Sequence, residues 1–241
     1  MSSDPVPPVD PSTPAPVSAL VGIAAYTELA GFGLLAARSV DAPDLATRQS
    51  LALGAERALS RQQALVGLVA PGAGVPAAAA LMGPFEGALV EFDTRTRTDD
   101  WAEGVLKGVV GHGVAQDFCR TLAAGVGGQH GKRLREVLEV AGAGPAARDG
   151  ADAEALSVLV RLASADDVLA SRLALWGRRV VGEALNLVTA LLEQHAELES
   201  LTAASAAALG HDAADGSVRS WLVARLTAEH TRRMDRLGLA A

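Results

Sequence analysis

Aromatic side chains are scarce in this chain. One tyrosine, four phenylalanines and three tryptophans occur among 241 residues, whereas hydrophobic residues together make up 49%. The core must therefore be built from Ala, Leu and Val, and Ala and Leu are strong helix formers. Because the β-branched and aromatic clusters expected of strands are also rare, the composition predicts an all-α protein.

Several further absences exclude classes of protein. The single cysteine, Cys119, forbids an internal disulfide and fits a reducing cytoplasm. No uninterrupted apolar run reaches the roughly 20 residues that a membrane helix needs, and the N-terminus has neither the basic nor the apolar region of a signal peptide. A net charge of −7 without any basic block argues against a dedicated nucleic-acid-binding protein. We therefore expect a cytoplasmic protein with no membrane segment.

The chain divides into a short tail and one long helical domain. Residues 1–16 are rich in Pro, Ser and Asp and are predicted to be disordered. Residues 17–241 are predicted to form the domain, and PGAGVP, GVGGQHG and AGAGPAARDG are predicted to break its helices. The expected helices cover about 17–40, 44–70, 77–93, 99–124, 132–140, 151–163, 166–202 and 217–237.

Two carboxylates are related by the turn between the first two predicted helices. Glu28 lies fourteen residues before Ala42, and Glu56 lies fourteen residues after it. Equal rise in an antiparallel hairpin puts them at one height, in apolar surroundings where charge is costly unless neutralised. A metal neutralises such carboxylates in di-iron bundles. In the alternative interpretation, one or both lie at the edge of the apolar face and reach water, Arg57 or Arg61.

A second helix pair repeats this layout less closely. His112 lies fifteen residues before Gly127, and Gly142 lies fifteen after it. Glu139 stands about one helical turn before Gly142, so His112 and Glu139 could approach each other at a common level. His112 is thus a candidate ligand, although a lone histidine between glycines is also typical of a structural residue.

The last predicted helix and the cysteine have simpler interpretations. Glu229 and His230 are adjacent, point in different directions around the helix, and are predicted to lie at the surface. The arginines near the helix end suit the helix dipole, and an RNA-facing patch is the alternative. Cys119 is predicted to be a small buried apolar residue.

Four segments carry a resemblance to a known family. They are AAYTELAGF, DDWAEGVLKGVVGHGVAQDF, SRLALWGRRVVGEAL and the ending LTAEHTRRMDRLGLAA. With them the chain resembles the actinobacterial ferritin-like proteins related to the tRNA isopentenyladenosine hydroxylase, MiaE. The resemblance implies a ferritin-like antiparallel four-helix bundle with additional C-terminal helices.

The resemblance also implies a metal site, which this sequence matches only in part. Glu28 corresponds to the first-helix ligand. Glu56 corresponds to the acid of the second-helix Glu-x-x-His pair, but Leu59 stands at its histidine position. His112 stands where the third helix of the family has an acid.

The fourth helix is expected to supply an acid and a histidine three residues later. Those positions fall on Glu139 and Gly142, or after a gap on Asp149 and Asp152. In neither register is the histidine present. The candidate metal ligands are therefore Glu28, Glu56, His112 and Glu139.

Two functional hypotheses follow. The favoured one is a divergent member of the family whose metal site is degenerate or absent, and which acts as a binding or interaction protein for a small molecule or a protein partner. The alternative is a non-haem iron hydroxylase or oxygenase, with di-iron or mononuclear iron, acting on a modified nucleoside or another small substrate. A tRNA partner is implied by the resemblance alone. A homodimer is compatible with the first hypothesis.

Overall fold

A computed structural model describes residues 10, 12–72, 74–139, 151–212 and 216–239, with backbone only at 151–154. Its described residues form helices and no strand, so the all-α prediction is confirmed. The helices are α1 (Ala15–Val40), α2 (Leu45–Val69), α3 (Val75–Met82), α4 (Val90–Arg95), α5 (Trp101–Lys107), α6 (Gly113–Ala123), α7 (Gly128–Glu139), α8 (Ala151–Ala165), α9 (Asp167–Gln194), α10 (Ala196–Ala208) and α11 (Val218–Arg236).

The bundle is built around the hairpin of α1 and α2. Its third member is the continuous helix formed by α5 and α6, which packs on α1. The fourth position is shared by α7 and α8, which both lie along α2. The helices α9, α10 and α11 pack outside this bundle. The architecture is therefore a four-helix bundle with further C-terminal helices, as expected.

The hairpin is stabilised by a capping residue at the start of α2 and by the burial of the apolar helix α1. Asp44 ends the turn by accepting a hydrogen bond from Thr47 N at 2.8 Å, which satisfies a free N–H at the start of α2. Eleven residues of α1 are buried. By length and apolarity α1 could also span a membrane, but 56% of its most apolar window is buried among other helices, as in the core helix of a globular bundle.

Several predicted helix boundaries are wrong. The long helix expected over 166–202 ends at Gln194, because His195 adopts non-helical angles and packs its ring 4.6 Å from that of Phe85. The helix expected over 77–93 is divided by a 3₁₀ turn, Gly83–Phe85. Helix α1 begins at Ala15, inside the predicted tail, and residues 1–9 and 11 lie outside the described residues.

A π-helical turn, Gly108–His112, joins α5 to α6. A π-turn accommodates one residue more than an α-helical turn, and such turns are frequent at functional sites. The glycines of this segment admit neighbours closely. At Gly108, an added Cβ would lie 2.6 Å from a methyl carbon of Leu34 on α1. The turn ends at His112, whose side chain is buried.

Candidate functional site: a buried carboxylate and an adjoining pocket

The candidate site is centred on the carboxylate of Glu28, which is only 2% exposed. Its Oε2 accepts a hydrogen bond from Arg61 Nη2 at 2.7 Å and lies 3.1 Å from His112 Nε2. Its Oε1 accepts a hydrogen bond from Gln116 Nε2 at 3.0 Å. The two oxygens of Glu28 thus contact α2, the π-turn and α6.

Local geometry explains how these three partners reach Glu28. Helical side chains point toward the N-terminus of their helix, so the long Arg61 side chain reaches back about one turn along α2. His112 and Gln116 are four residues apart, one above the other on the same helical face. Gly31 makes room for the imidazole, because a Cβ there would lie 3.0 Å from its Cε1.

The electrostatics of the cluster favour an ionised Glu28. Burial by itself opposes ionisation, but the imidazole of His112 and the guanidinium of Arg61 outweigh it and lower the pKa of Glu28 to about 2. Burial, together with the nearby charge of Glu28, raises the pKa of the Cys119 thiol to about 12. Cys119 is fully enclosed, as predicted, and is an unreactive thiol. His230 is also buried, whereas the sequence predicted a surface position.

The structure brings together only two of the four candidate metal ligands, Glu28 and His112. Glu56 does not face Glu28: it is exposed and accepts a hydrogen bond from Ser60 at 2.7 Å, as in the alternative interpretation that places a carboxylate at the edge of the apolar face. The reason is rotational, since equal height in a hairpin does not fix the direction of a side chain around its helix. Arg61, named in the alternative interpretation, is the residue that reaches Glu28.

Glu139, the candidate ligand on α7, does not join this cluster. Glu139 is exposed at the end of α7 and lines a different cleft from the one that His112 lines. Asp149, and the side chain of Asp152, lie outside what the structure describes. Gln116 was missed from the sequence, although its position one turn after His112 was a signal that could have found it.

The described residues around Glu28 do not fit a di-iron centre. Such a centre needs about four carboxylates and two imidazoles, whereas Glu28 is surrounded by one imidazole, one amide and one guanidinium. Over the described part of the chain, no group of three or more His, Cys, Asp and Glu side chains is placed to hold a metal ion. The guanidinium of Arg61 supplies the positive charge that a metal would supply.

A pocket of about 400 Å³ adjoins this cluster, and His112 forms part of its wall. It lies between α1, the π-turn, Phe92 of α4 and the side of α9. Eight of its lining residues are glycine or alanine, which explains why the packed helices leave space there. A larger, more polar cleft of about 620 Å³ lies on the other side of Phe92 but does not reach His112.

The rim of the pocket carries an excess of positive charge. Lys107 is paired with Asp93 at 2.7 Å and lies over the ring of Phe92. Arg38 also lines the pocket, and its guanidinium makes no ion pair within the described residues. The Arg38 side chain packs tightly on Gly104, where a Cβ would come within 2.4 Å of its Nε.

A family model described as a ferritin-like domain of actinomycetes matches residues 13–205. The chain belongs to this family. A comparison with curated proteins finds no match. In this ferritin-like protein, the matched range includes the whole Glu28 cluster and the pocket, whereas α11 lies beyond it.

Proposed function

We propose that this ferritin-like protein works without a metal and binds a small amphipathic anion in the pocket beside His112. The observation that carries the proposal is the neutralisation of Glu28 by Arg61 directly next to a ready-made cavity. The carboxylate that the family resemblance assigns to a metal is held by an ion pair, while the space beside it is open.

The wall of the pocket defines the class of ligand. Alanine, glycine, Leu34 and Leu187 suit an apolar body, and a volume of about 400 Å³ is at the small end of ligand pockets. The guanidinium of Arg38 at the rim is a planar donor that suits a carboxylate or sulfonate. A small fatty or aromatic acid has both parts.

The Glu28 cluster has a supporting role in this proposal. A buried ion pair adds little net stability, but replacing one of its two residues leaves the other charge buried and uncompensated. Glu28 therefore keeps Arg61 and His112 in one arrangement, and the imidazole forms a fixed part of the pocket wall.

The proposal can be tested with two fluorescent probes that share an apolar body: anionic anilinonaphthalene sulfonate and neutral phenylnaphthylamine. We expect saturable binding of both, with the anion tighter. Gly33→Leu should abolish binding of either probe, because Gly33 lines the pocket and has open space where a side chain would go. Gly67→Leu is the matched control, since Gly67 is also an exposed helical glycine with open space and lines none of these cavities. Equal binding to both variants would show that the probes lie elsewhere.

Iron-dependent hydroxylation is not favoured by the placement of the four candidate ligands. If the proposal is correct, protein purified after iron-supplemented expression should contain far less than one iron per chain by elemental analysis. Stoichiometric iron would overturn the metal-free proposal. A relationship to MiaE, a tRNA partner and a homodimer stay predictions from the sequence.

A further inference from the structure

One wall separates the pocket beside His112 from the larger polar cleft. Among the described residues, Phe92 of α4 and Leu187 of α9 line both the pocket of about 400 Å³ and the cleft of about 620 Å³. On α9 the division falls between adjacent residues, because Glu183 lines the cleft and Ala184 lines the pocket. Phe92 and Leu187 thus form a wall that is common to both cavities.

The ring of Phe92 reaches from α4 to the π-turn. A Cβ at Gly111 would lie 2.8 Å from Phe92 Cζ, so the tip of the ring packs directly on the glycine backbone. Lys107 of α5 lies over the ring, 5.2 Å from its centroid, and its Nζ is 2.7 Å from Asp93 Oδ1. The ring is therefore held in place both by the π-turn and by α5.

Helix α4 carries this ring without being part of the core. Phe92 is half-buried, and the other five residues of α4 are exposed. Polar contacts attach α4 to α9: Arg95 Nη1 lies 3.5 Å from Glu183 Oε2, and Arg95 O accepts a hydrogen bond from Arg179 Nη2 at 2.8 Å. Shortening the Phe92 side chain should therefore remove the wall without removing a fully buried residue.

The wall stands at a defined distance from the positively charged rim of the pocket. The guanidinium of Arg38 packs on Gly104, whereas the ring of Phe92 packs on Gly111 of the same continuous helix. These two glycines are seven residues apart, which corresponds to about 10 Å of helix. An anion bound by Arg38 thus has about 10 Å for its apolar body before it meets the ring.

The space behind the ring is suited to an extension of the same body. Leu187, Ala190 and Leu191 line the cleft, and their spacing puts them on one face of α9. This apolar strip begins at the common wall and continues away from it.

We propose that Phe92 sets the maximum length of the ligand, an inference that rests on the proposed anion binding in the pocket beside His112. A carboxylate or sulfonate bound by Arg38 is accommodated as far as the Phe92 ring, and the ring excludes it from the cleft. The ligand class is therefore a short-chain acid rather than a long-chain one. Phe92→Ala joins the two cavities and admits longer chains.

Displacement of anilinonaphthalene sulfonate by hexanoate, octanoate, decanoate and dodecanoate tests the proposal, with each acid kept below its micellar concentration. In the wild type, each added methylene should raise the affinity roughly fourfold until the chain reaches Phe92, because that is the worth of one buried methylene. The affinity should then level off before dodecanoate. In Phe92→Ala the rise should continue, so that the ratio of dodecanoate to hexanoate affinity is at least about tenfold higher than in the wild type.

Two further variants accompany this one. Leu187→Ala shortens the other side chain of the common wall and should also extend the range of chain lengths. Val90→Ala is the matched control, since Val90 is exposed on the same helix, lies outside the lining of both cavities, and should leave the wild-type profile unchanged. If Phe92→Ala does not fold, the more conservative Phe92→Leu and Leu187→Ala decide.

The outcomes separate this inference from the function on which it rests. The probe binds in the pocket if Gly33→Leu abolishes its binding. If the probe binds there and the wall variants keep the wild-type profile, Phe92 does not limit length, although the anion pocket stands. A wild-type affinity that rises evenly to dodecanoate also overturns the length limit. Failure of the wild type to bind the probe saturably overturns both proposals.

Discussion

Replacing Arg61 with methionine should destabilise this protein far more than the loss of an ordinary surface arginine. The carboxylate of Glu28 is 2% exposed, and Arg61 is its only arginine or lysine partner within the described residues. Removing one partner of a buried ion pair costs about 3–5 kcal/mol, because the remaining charge is uncompensated. His112 and Gln116 still contact Glu28, so we expect the lower end, about 3 kcal/mol. For a chain of this length that corresponds to a melting temperature roughly 6–12 °C lower.

A double-mutant cycle tests directly whether Arg61 neutralises the charge of Glu28. Chemical denaturation should show that Glu28→Gln with Arg61→Met is more stable than Arg61→Met alone, because the double variant leaves no buried charge unpaired. Arg178→Met is the control, since Arg178 is exposed and should change the free energy of unfolding by less than about 0.5 kcal/mol. If Arg61→Met behaves like the control, or the double variant is no better than the single one, Arg61 does not neutralise Glu28 and the metal-free interpretation loses its support.

Two further predictions concern the acids. The pKa of Glu28 falls from 4.5 to about 2 on folding, so its contribution is fully present above pH 4.5 and is lost as the pH falls toward 2. Denaturation of the wild type and of Glu28→Gln across this interval should show their difference shrinking by about 3 kcal/mol, and a constant difference would contradict the low pKa. Glu56→Gln should change stability by less than about 0.5 kcal/mol, with or without iron, because Glu56 is exposed and bonds only Ser60 in the described structure. An iron-dependent loss of melting temperature in that variant would restore Glu56 as a ligand.

The fold was predictable from the sequence because its signals are local. Asp44 and Asp100 stand at the starts of α2 and α5 and cap them, and Pro and Gly mark several of the breaks between helices. The break at His195 was not predictable in this way. Its neighbours favour helix, and only the distant ring of Phe85, against which it packs, distinguishes this position.

In the candidate site, the central residue Glu28 was predictable from the sequence, but the residues that contact it were not. Glu28 was identified correctly as a buried carboxylate that must be neutralised. Symmetry about the turn selected Glu56, yet the buried face of α2 runs through Leu51, Ala55, Ala58 and Gln62, with Glu56 pointing away. That periodicity is visible in the sequence. It shows which side chains of α2 point into the bundle, whereas the distance of a residue from the turn gives only its height along the helix. The reach of Arg61 depends on side-chain direction, which residue counting does not contain.

The π-turn before α6 sets the direction of two buried polar side chains at once, those of Gln116 and Asp117. One extra residue rotates all that follows by about 100° relative to an unbroken helix. Gln116 faces Glu28, and Asp117 faces Arg233, only with that rotation. Deleting one residue from 108–111 would therefore turn both polar residues out of register at once, although neither is altered. Both contacts therefore depend on the rotation that the π-turn gives to α6, and not only on the identities of Gln116 and Asp117.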